Sequence, residues 1–348
     1  MDIKTRFLII SDTHAEDFFI PDLPVDVAIH CGDLTEGSKM DEFRQSLDLL
    51  KGINAPLKLV IAGNHDFTLD HAMFKTIYHN THSQPSIWSE AYAAAPQDYG
   101  YVGQAKRLFS DRVPEWEKAF RTALGGEEFN NNDNNIHLLG VGRHDFVLKN
   151  GAKLRVYADP YTPSASGQGG FKFRRDERRE YAIGGPDDVD VVITHGPPRG
   201  VLDLTESKQR GGCNHLFAAV AKARPRLHCF GHIHEGWGAK LVAWRGEEAT
   251  EDPSHFSDID NADSTLVESL ATLKPGKWDS PQAAHDKKKE FQRLVQEGFR
   301  GTSHRSDDEH PLTPGHHTLF VNAALEALED GQVQLPWVVD IEFPRAKA

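Results

Sequence analysis

Five apolar runs in this chain each stop at a loop carrying histidine, aspartate or asparagine, and that arrangement restricts the folds open to it. The runs cover residues 5–10 (TRFLII), 25–30 (VDVAIH), 57–62 (LKLVIA), 189–194 (VDVVIT) and 226–230 (RLHCF). Rich in β-branched and aliphatic residues with little alternation, they read as strands buried on both faces. Residues 41–50, with Phe43, Leu47 and Leu50 on one stripe and Gly52 after them, have helical spacing, and residues 213–223 read as a second helix. Buried strands alternating with helices predict an α/β fold whose sheets are covered on both sides.

The five runs end in Asp12-Thr13-His14, Gly32-Asp33, Gly63-Asn64-His65-Asp66, Thr194-His195-Gly196 and Gly231-His232-Ile233-His234. Ligands of open α/β sheets bind at the carboxyl ends of strands, so these loops can converge. In the last, residues i and i+2 leaving a strand point the same way, and both imidazoles can reach one cavity. Gly231 lets the backbone pass close to what they bind. Two histidines alone would suit a polar loop equally well. Taken together, the junctions supply Asp12, His14, Asp33, Asn64, His195, His232 and His234, a mixed nitrogen and oxygen set large enough for two divalent ions. Imidazole-rich ligation favours Mn, Fe, Zn or Ni over Mg or Ca.

Elsewhere the pattern is looser. Residues 71–135 read as an insertion, with a helix at 115–124 and a polar loop at 130–135. Strands are expected at 136–139 and 154–157, a loop at 164–170, and closing strands at 318–322 and 338–343. Residues 245–315 read as a second insertion holding a helix at 282–296. No repeat of 20–50 residues stands out, and both insertions interrupt one domain spanning residues 1–348.

The chain has 39 basic and 52 acidic side chains, for a formal net charge of −13. That disfavours duplex nucleic acid as a partner, because binding it requires phosphates to be neutralised. The basic runs 172–179 and 287–289 are read as solvated helix faces. No stretch approaches the roughly 20 apolar residues of a membrane span, and the first apolar run is too short for a signal peptide. A cytoplasmic location is therefore expected. Cys31, Cys213 and Cys229 make no even disulfide framework, and Cys31 and Cys229 read as small core residues.

The order D-x-H, GD, GNHD, H, GHxH resembles the calcineurin-like metallophosphoesterase superfamily. THGPPRGVLD (194–203), RGGC (210–213) and PRLHCFGHIHEGWG (225–238) resemble its metallophosphoesterase-domain-containing branch, a small group of cytosolic phosphodiesterases. The resemblance covers about two thirds of the chain and neither insertion. It implies a four-layer αββα sandwich of two mixed β-sheets flanked by helices. Asp12, His14 and His234 would hold one metal, Asp33 would bridge, and Asn64, His195 and His232 would complete the second; manganese is the ion expected in vitro. His65 would stand beside the substrate phosphate with Asp66 orienting it, and Asn64, His65 and His195 would contact the substrate. The implied chemistry is hydrolysis of a small phosphodiester, such as a cyclic nucleotide, by a metal-bound hydroxide at a two-metal clamp. A phosphomonoesterase or nuclease on the same site, or a silent scaffold of the same fold, remains open, as does the oligomeric state.

Several residues carry a second reading. Asp66 could cap a helix. Arg199 and Arg210 could grip phosphate or sit on the surface. Trp237 and Phe171 could stack on a base or pack in the core. Asn322 ends a strand near the site by analogy. His71, His79, His82, His304, His310, His316 and His317 are read as solvated.

Overall fold

Along the first strand, odd and even residues enter different cores, and the same split repeats through both sheets. A computed structural model describes residues 2–80, 87–109, 135–167, 169–273, 275–326 and 334–347. In β1 (Ile3–Ile10) the last four residues are all buried. Phe7 and Ile9 enter one cluster, while Leu8 and Ile10 enter another. β2 (Val27–His30) and β3 (Lys58–Val60) divide the same way, Ile29 and Leu59 on one side, Ala28 and Val60 on the other. Successive side chains of a strand point to opposite faces, so a continuous apolar run is what a doubly covered strand requires.

The first cluster lies between two sheets. One sheet runs β13-β15-β1-β2-β3-β4, and the other β12-β11-β14-β10-β9-β6-β5. The remaining members are β4 (Ile136–Leu138), β5 (Gly142–Val147), β6 (Lys153–Asp159), β9 (Val191–Thr194), β10 (Leu227–Phe230), β11 (Gly238–Trp244), β12 (Ile259–Ser269), β13 (Arg300–Ser303), β14 (His317–Asn322) and β15 (Trp337–Phe343). β7 (Thr162–Ser164) and β8 (Lys172–Arg174) form a separate parallel pair. Val191, Ile193, Leu227 and Cys229 meet Phe7, Ile29 and Cys31 between the sheets. Outside the first sheet lies the helix Met40–Gly52, which buries Phe43, Leu47 and Leu50. Outside the second lies Asn214–Ala223, which buries Leu216, Phe217 and Val220 beside Val192 and Phe320. The layers are therefore helix, sheet, sheet, helix, and both sheets mix parallel with antiparallel pairs. Cys31 and Cys229 are fully buried core residues, and all three cysteines are free thiols.

The segment 245–315 is more than an excursion from the core, because β12 pairs with β11 and β13 pairs in parallel with β15. Each is the edge strand of its sheet. Their sequences, IDNADSTLVES and RGTS, carry no apolar run, and an edge strand with a solvated face needs none. The helix Pro281–Glu297 begins with the Ser280 hydroxyl accepting from Ala283 N–H, ends at left-handed Gly298, and buries Leu294. Within 71–135, helices between residues 71 and 107 pack Phe74, Tyr92 and Tyr99 onto Phe67. The helix expected at 115–124 and nearly all of the expected loop at 130–135 lie outside the described residues.

Two expectations are corrected. The basic run 172–179 forms β8 and a loop, not a helix face. Within it, Arg179 pairs at 2.7 Å with the fully buried Asp159 and stacks 4.1 Å from the Tyr161 ring centre, because a buried carboxylate needs a matching charge. His304 is buried, not solvated. Its Nδ1–H donates to the His310 carbonyl at 2.8 Å, which leaves Nε2 to accept from Thr302 Oγ1 at 2.9 Å. Among the described residues no helix is long and apolar enough to cross a membrane.

Candidate metal centre

The five junctions meet at one end of the sheet interface, laced together by their backbones. Asp12 N–H donates to the Gly32 carbonyl, and both Thr13 and His14 N–H donate to the Asp33 carbonyl, at 2.9 to 3.1 Å. Across the interface Gly231 N–H donates to the His195 carbonyl at 2.9 Å. This lacing holds an unusual backbone. Asp12, His14, Asp33 and His232 all have left-handed φ, between 47° and 66°. Such a conformation costs an L-residue with a side chain roughly 1–2 kcal/mol, and such outliers cluster at functional sites.

Two triads result. Asp12, His14 and His234 each bring a donor atom into one group, and Asp33, His195 and His232 into another; within each group the atoms lie within 4.8 Å of one another. In the first, Asp12 Oδ1 is 3.3 Å from His234 Nε2, and the Asp12 carboxylate also accepts the His232 N–H. In the second, Asp33 Oδ2 stands 3.1 Å from His195 Nε2, with Asn64 Oδ1 also 3.1 Å from that nitrogen. His195 Nδ1 donates to the Cys31 carbonyl at 3.0 Å, which fixes its tautomer. In the neutral ring Nε2 is therefore a bare lone pair facing two oxygen lone pairs. Burial opposes charge on His195, yet the Asp33 carboxylate outweighs it and raises the imidazole to about 9. The site has a deficit of positive charge that a bound cation would meet, so the residues fit the metals that the ligand set implies.

The first triad shows the same deficit. Both nitrogens of His14 are buried without a well-directed hydrogen bond. Carboxylate oxygens of Glu36 and Glu326 stand 2.9 and 3.0 Å from them. Burial opposes a charged His14, yet Glu326, Asp33 and Asp12 outweigh it and raise the imidazole's pKa to about 10. Burial likewise opposes charge on Asp12 and Asp33, and the neighbouring histidines hold both carboxyls well below the usual carboxylate range. His232 faces the opposite balance. Burial, with His195 next in effect, lowers it to about 3, so it is a neutral donor.

Two glycines let the loops close. A Cβ on Gly231 would lie 2.0 Å from Asp12 Oδ2, and one on Gly63 would lie 2.2 Å from Asp33 Oδ1. At these junctions the chain must pass against the carboxylates of Asp12 and Asp33.

His65 lies at the mouth, its side chain one-third exposed. Its N–H donates to Asp33 Oδ1 at 2.7 Å, its Nδ1 donates to the Glu36 carbonyl at 2.7 Å, and its ring is edge-on to His14. Among the described residues its Nε2 takes part in no hydrogen bond or ion pair. Asp66 does not touch this ring, which corrects the expectation that it orients His65 directly. Its carboxylate accepts Gly63 N–H, Leu34 N–H, Thr35 N–H and Thr35 Oγ1–H at 2.7 to 3.1 Å. It makes no side-chain cap of the short helix that follows. Four donors converge there because two loops turn their N–H groups inward, and Asp66 pins the Asp33 loop to the Asn64 loop. Burial first, then the Asp33 charge, raises its carboxyl to about 6.

The secondary candidates separate. Trp237 and Phe171 are core residues. Arg210 is engaged by buried Asp203 at 2.6 Å, while Arg199 lines a cleft described below. Asn322 is buried and donates to the carbonyls of Ile233 and Leu202, supporting the Gly231–His234 loop. Sequence reasoning passed over Glu36 and Glu326. Glu36 follows Asp33 by three residues and Glu326 follows Asn322 by four, and that proximity was the available signal.

The family model of calcineurin-like phosphoesterases matches residues 5–236, which span every one of these junctions. The chain belongs to the calcineurin-like phosphoesterase family. Metallophosphoesterase domain-containing protein 1 of Homo sapiens is 30% identical over 236 residues, 67% of this chain and 62% of that protein. A UPF0046 protein of Caenorhabditis elegans is 30% identical over 235 residues, again 67% of this chain and 52% of the relative. A protein of Emericella nidulans named probable rhamnogalacturonate lyase C is 30% identical over 245 residues, 70% of this chain but only 18% of its own length. The match thus spans less than two thirds of each of these relatives. The folding of two calcineurin-like sheets face to face is what brings junctions far apart in sequence, from Asp12 to His234, to one end of the molecule.

Proposed function

We propose that the protein is a metal-dependent phosphodiesterase acting on small diesters at a dinuclear centre. The observation that carries this is the pair of donor triads, Asp12/His14/His234 and Asp33/His195/His232, set side by side with Asp33 offering one oxygen to the second triad. Asp12, His14 and His234 would hold one ion, Asn64, His195 and His232 the other, and Asp33 can reach both because a carboxylate has two oxygens. Divalent ions bound there would draw charge from the phosphoryl oxygens and supply a nucleophile from water at neutral pH.

The remaining work falls to side chains. His195 is held in register by the Cys31 carbonyl, and His232 by the loop that Asn322 supports. Asn64 adds an oxygen donor without adding negative charge, which keeps the site attractive to an anion. His65, with Nδ1–H held by the Glu36 carbonyl and the Glu36 carboxylate 3.4 Å from the same nitrogen, presents Nε2 to the leaving oxygen. As the imidazolium it would give its Nε2 proton to that oxygen and return to the neutral ring. The acidic surface favours a compact diester, such as a cyclic nucleotide, over a duplex. The imidazole-rich donor set favours manganese, iron, zinc or nickel.

The test is hydrolysis of bis-p-nitrophenyl phosphate against p-nitrophenyl phosphate by Mn²⁺-reconstituted protein and its Asp33→Ala variant. Diester turnover that the variant loses supports the proposal. Turnover confined to the monoester would make the protein a phosphatase, and silence on both esters with metal bound would favour the scaffold.

A further inference from the structure

The loop that follows His195 folds back against the Gly231–His234 loop and opens a cleft of about 660 Å³. Arg175, Arg199, Thr205, Ser207, Gln209 and Arg210 line it. A frame of backbone and carboxylate bonds builds the cleft. Buried Asp203 accepts Gly200 and Gly212 N–H at 3.0 and 3.2 Å, and takes Arg210 Nη1 at 2.6 Å.

Arg210 is thereby neutralised, but its neighbours are not. Arg175 donates to the carbonyls of Gly211 and Gly212, and Arg199 to that of Arg210, at 3.0 to 3.4 Å. Among the described residues no carboxylate lies within ion-pair distance of Arg175 or Arg199. The contrast is sharp in a chain of charge −13, where Arg6, Arg155, Arg179 and Arg226 all pair with aspartate. Two guanidiniums share one concave surface with N–H groups to spare, a geometry suited to the oxygens of a phosphate.

The cleft also adjoins the metal centre. A Cβ on Gly211 would lie 2.8 Å from Ile233 Cδ1, and Ile233 separates His232 from His234. Glu206 N–H donates to Glu235 Oε1 at 2.6 Å, tying the cleft wall to the residue after His234. Arg199 is four residues beyond His195. Lys172, whose charge bears on His232, begins the strand that leads into Arg175.

We propose that Arg175 and Arg199 form an oxyanion subsite for a phosphoryl group separate from the one held at the metals. This deepens the phosphodiesterase proposal and rests on it for one of two sources of that group: a second phosphate on the substrate, or free phosphate.

The experiment compares thymidine 5′-(p-nitrophenyl phosphate) with and without a 3′-phosphate, using the Mn²⁺-loaded protein and its Arg175→Ala and Arg199→Ala variants. Crystals of the native protein and the double variant are soaked in selenate in parallel. A KM lowered about tenfold by the 3′-phosphate, the scale of one added charge-assisted contact, is expected for the native protein. Both variants should lose that advantage and keep kcat on the unphosphorylated ester, which also reports that they fold. Arg199→Lys should restore part of it. Selenate between the two guanidiniums of the native protein and absent from the double variant, without a KM effect, assigns the subsite to free phosphate. No KM difference and no selenate in the cleft overturns the proposal. Loss of turnover on the unphosphorylated ester by the native protein would instead count against the phosphodiesterase reading, and the selenate result would still decide the subsite.

Discussion

Asp33 Oδ2 stands 3.1 Å from His195 Nε2, while His195 Nδ1 donates to the carbonyl of Cys31, two residues before Asp33. The imidazole is thus gripped by the backbone of the same loop whose carboxylate faces its Nε2. Asp33→Ala removes the carboxylate proposed to bridge the two ions. It is expected to reduce bound Mn²⁺ from two ions per chain to one or fewer and to lower turnover by at least about a thousandfold, on the scale of losing one essential member of a catalytic set. Metal content by plasma emission spectroscopy, alongside the kinetics, checks both.

His65 contributes no atom to either of those triads. His65→Ala should keep both metals and lose roughly 10²–10⁴-fold in kcat, the usual range for a positioned proton donor. The loss should be steep on an alkyl leaving group and shallow on p-nitrophenolate, which needs no proton. Equal losses on the two leaving groups would remove the donor role.

Asp66 tests the loop clamp. Asp66→Ala strands Gly63 N–H, Leu34 N–H, Thr35 N–H and the Thr35 hydroxyl. Each buried orphan costs about 1–3 kcal/mol, so a loss of at least about 3 kcal/mol in urea unfolding is expected, with weaker Mn²⁺ binding as Asp33 loosens. Unchanged stability would show that the clamp carries no weight.

The buried strands were legible in the sequence because doubly covered strands need continuous apolar runs, and Phe7, Ile29, Val191 and Leu227 announce them, while their order within the two sheets was not. The junction residues stood out for the same reason: histidine and aspartate are conspicuous directly after such runs. What the sequence hid has physical causes too. β12 and β13 are polar edge strands whose outer faces meet water, so they carry no hydrophobic signal. Asp66 was legible as important but not in its role, because its partners are backbone N–H groups of a loop thirty residues away. Glu36 and Glu326 lie off the strand ends and reach His14 only through loop geometry. His304 looked solvated in a polar stretch, yet β13 carries it to the sheet edge and buries it.

Two histidines outside the ligand set give the protein an acid limit. His30 and His228 are fully buried, and burial lowers them to about 4 and about 3 from an ordinary 6.5. His228 Nε2 donates to Thr194 Oγ1 at 2.9 Å, and its Nδ1 has no partner. A histidine that folding keeps neutral binds more protons when unfolded, so stability rises with pH across this window. Its contribution is complete above about pH 6.5 and is lost as pH falls toward the folded value. The expected slope approaches 1.4 kcal/mol per pH unit per histidine between about pH 6 and 4. His228→Gln keeps a donor for Thr194 and cannot titrate, so its unfolding free energy should fall less steeply, with or without added metal. Parallel pH profiles for variant and wild type would refute this assignment.

The most direct measurement is an anomalous-difference map from a crystal grown with Mn²⁺ and collected on both sides of the manganese edge. Two manganese peaks are expected, one among Asp12, His14 and His234 and one among Asn64, His195 and His232, with the Asp33 carboxylate between them. A single peak, or manganese bound elsewhere while these residues stay bare, would contradict the two-metal centre.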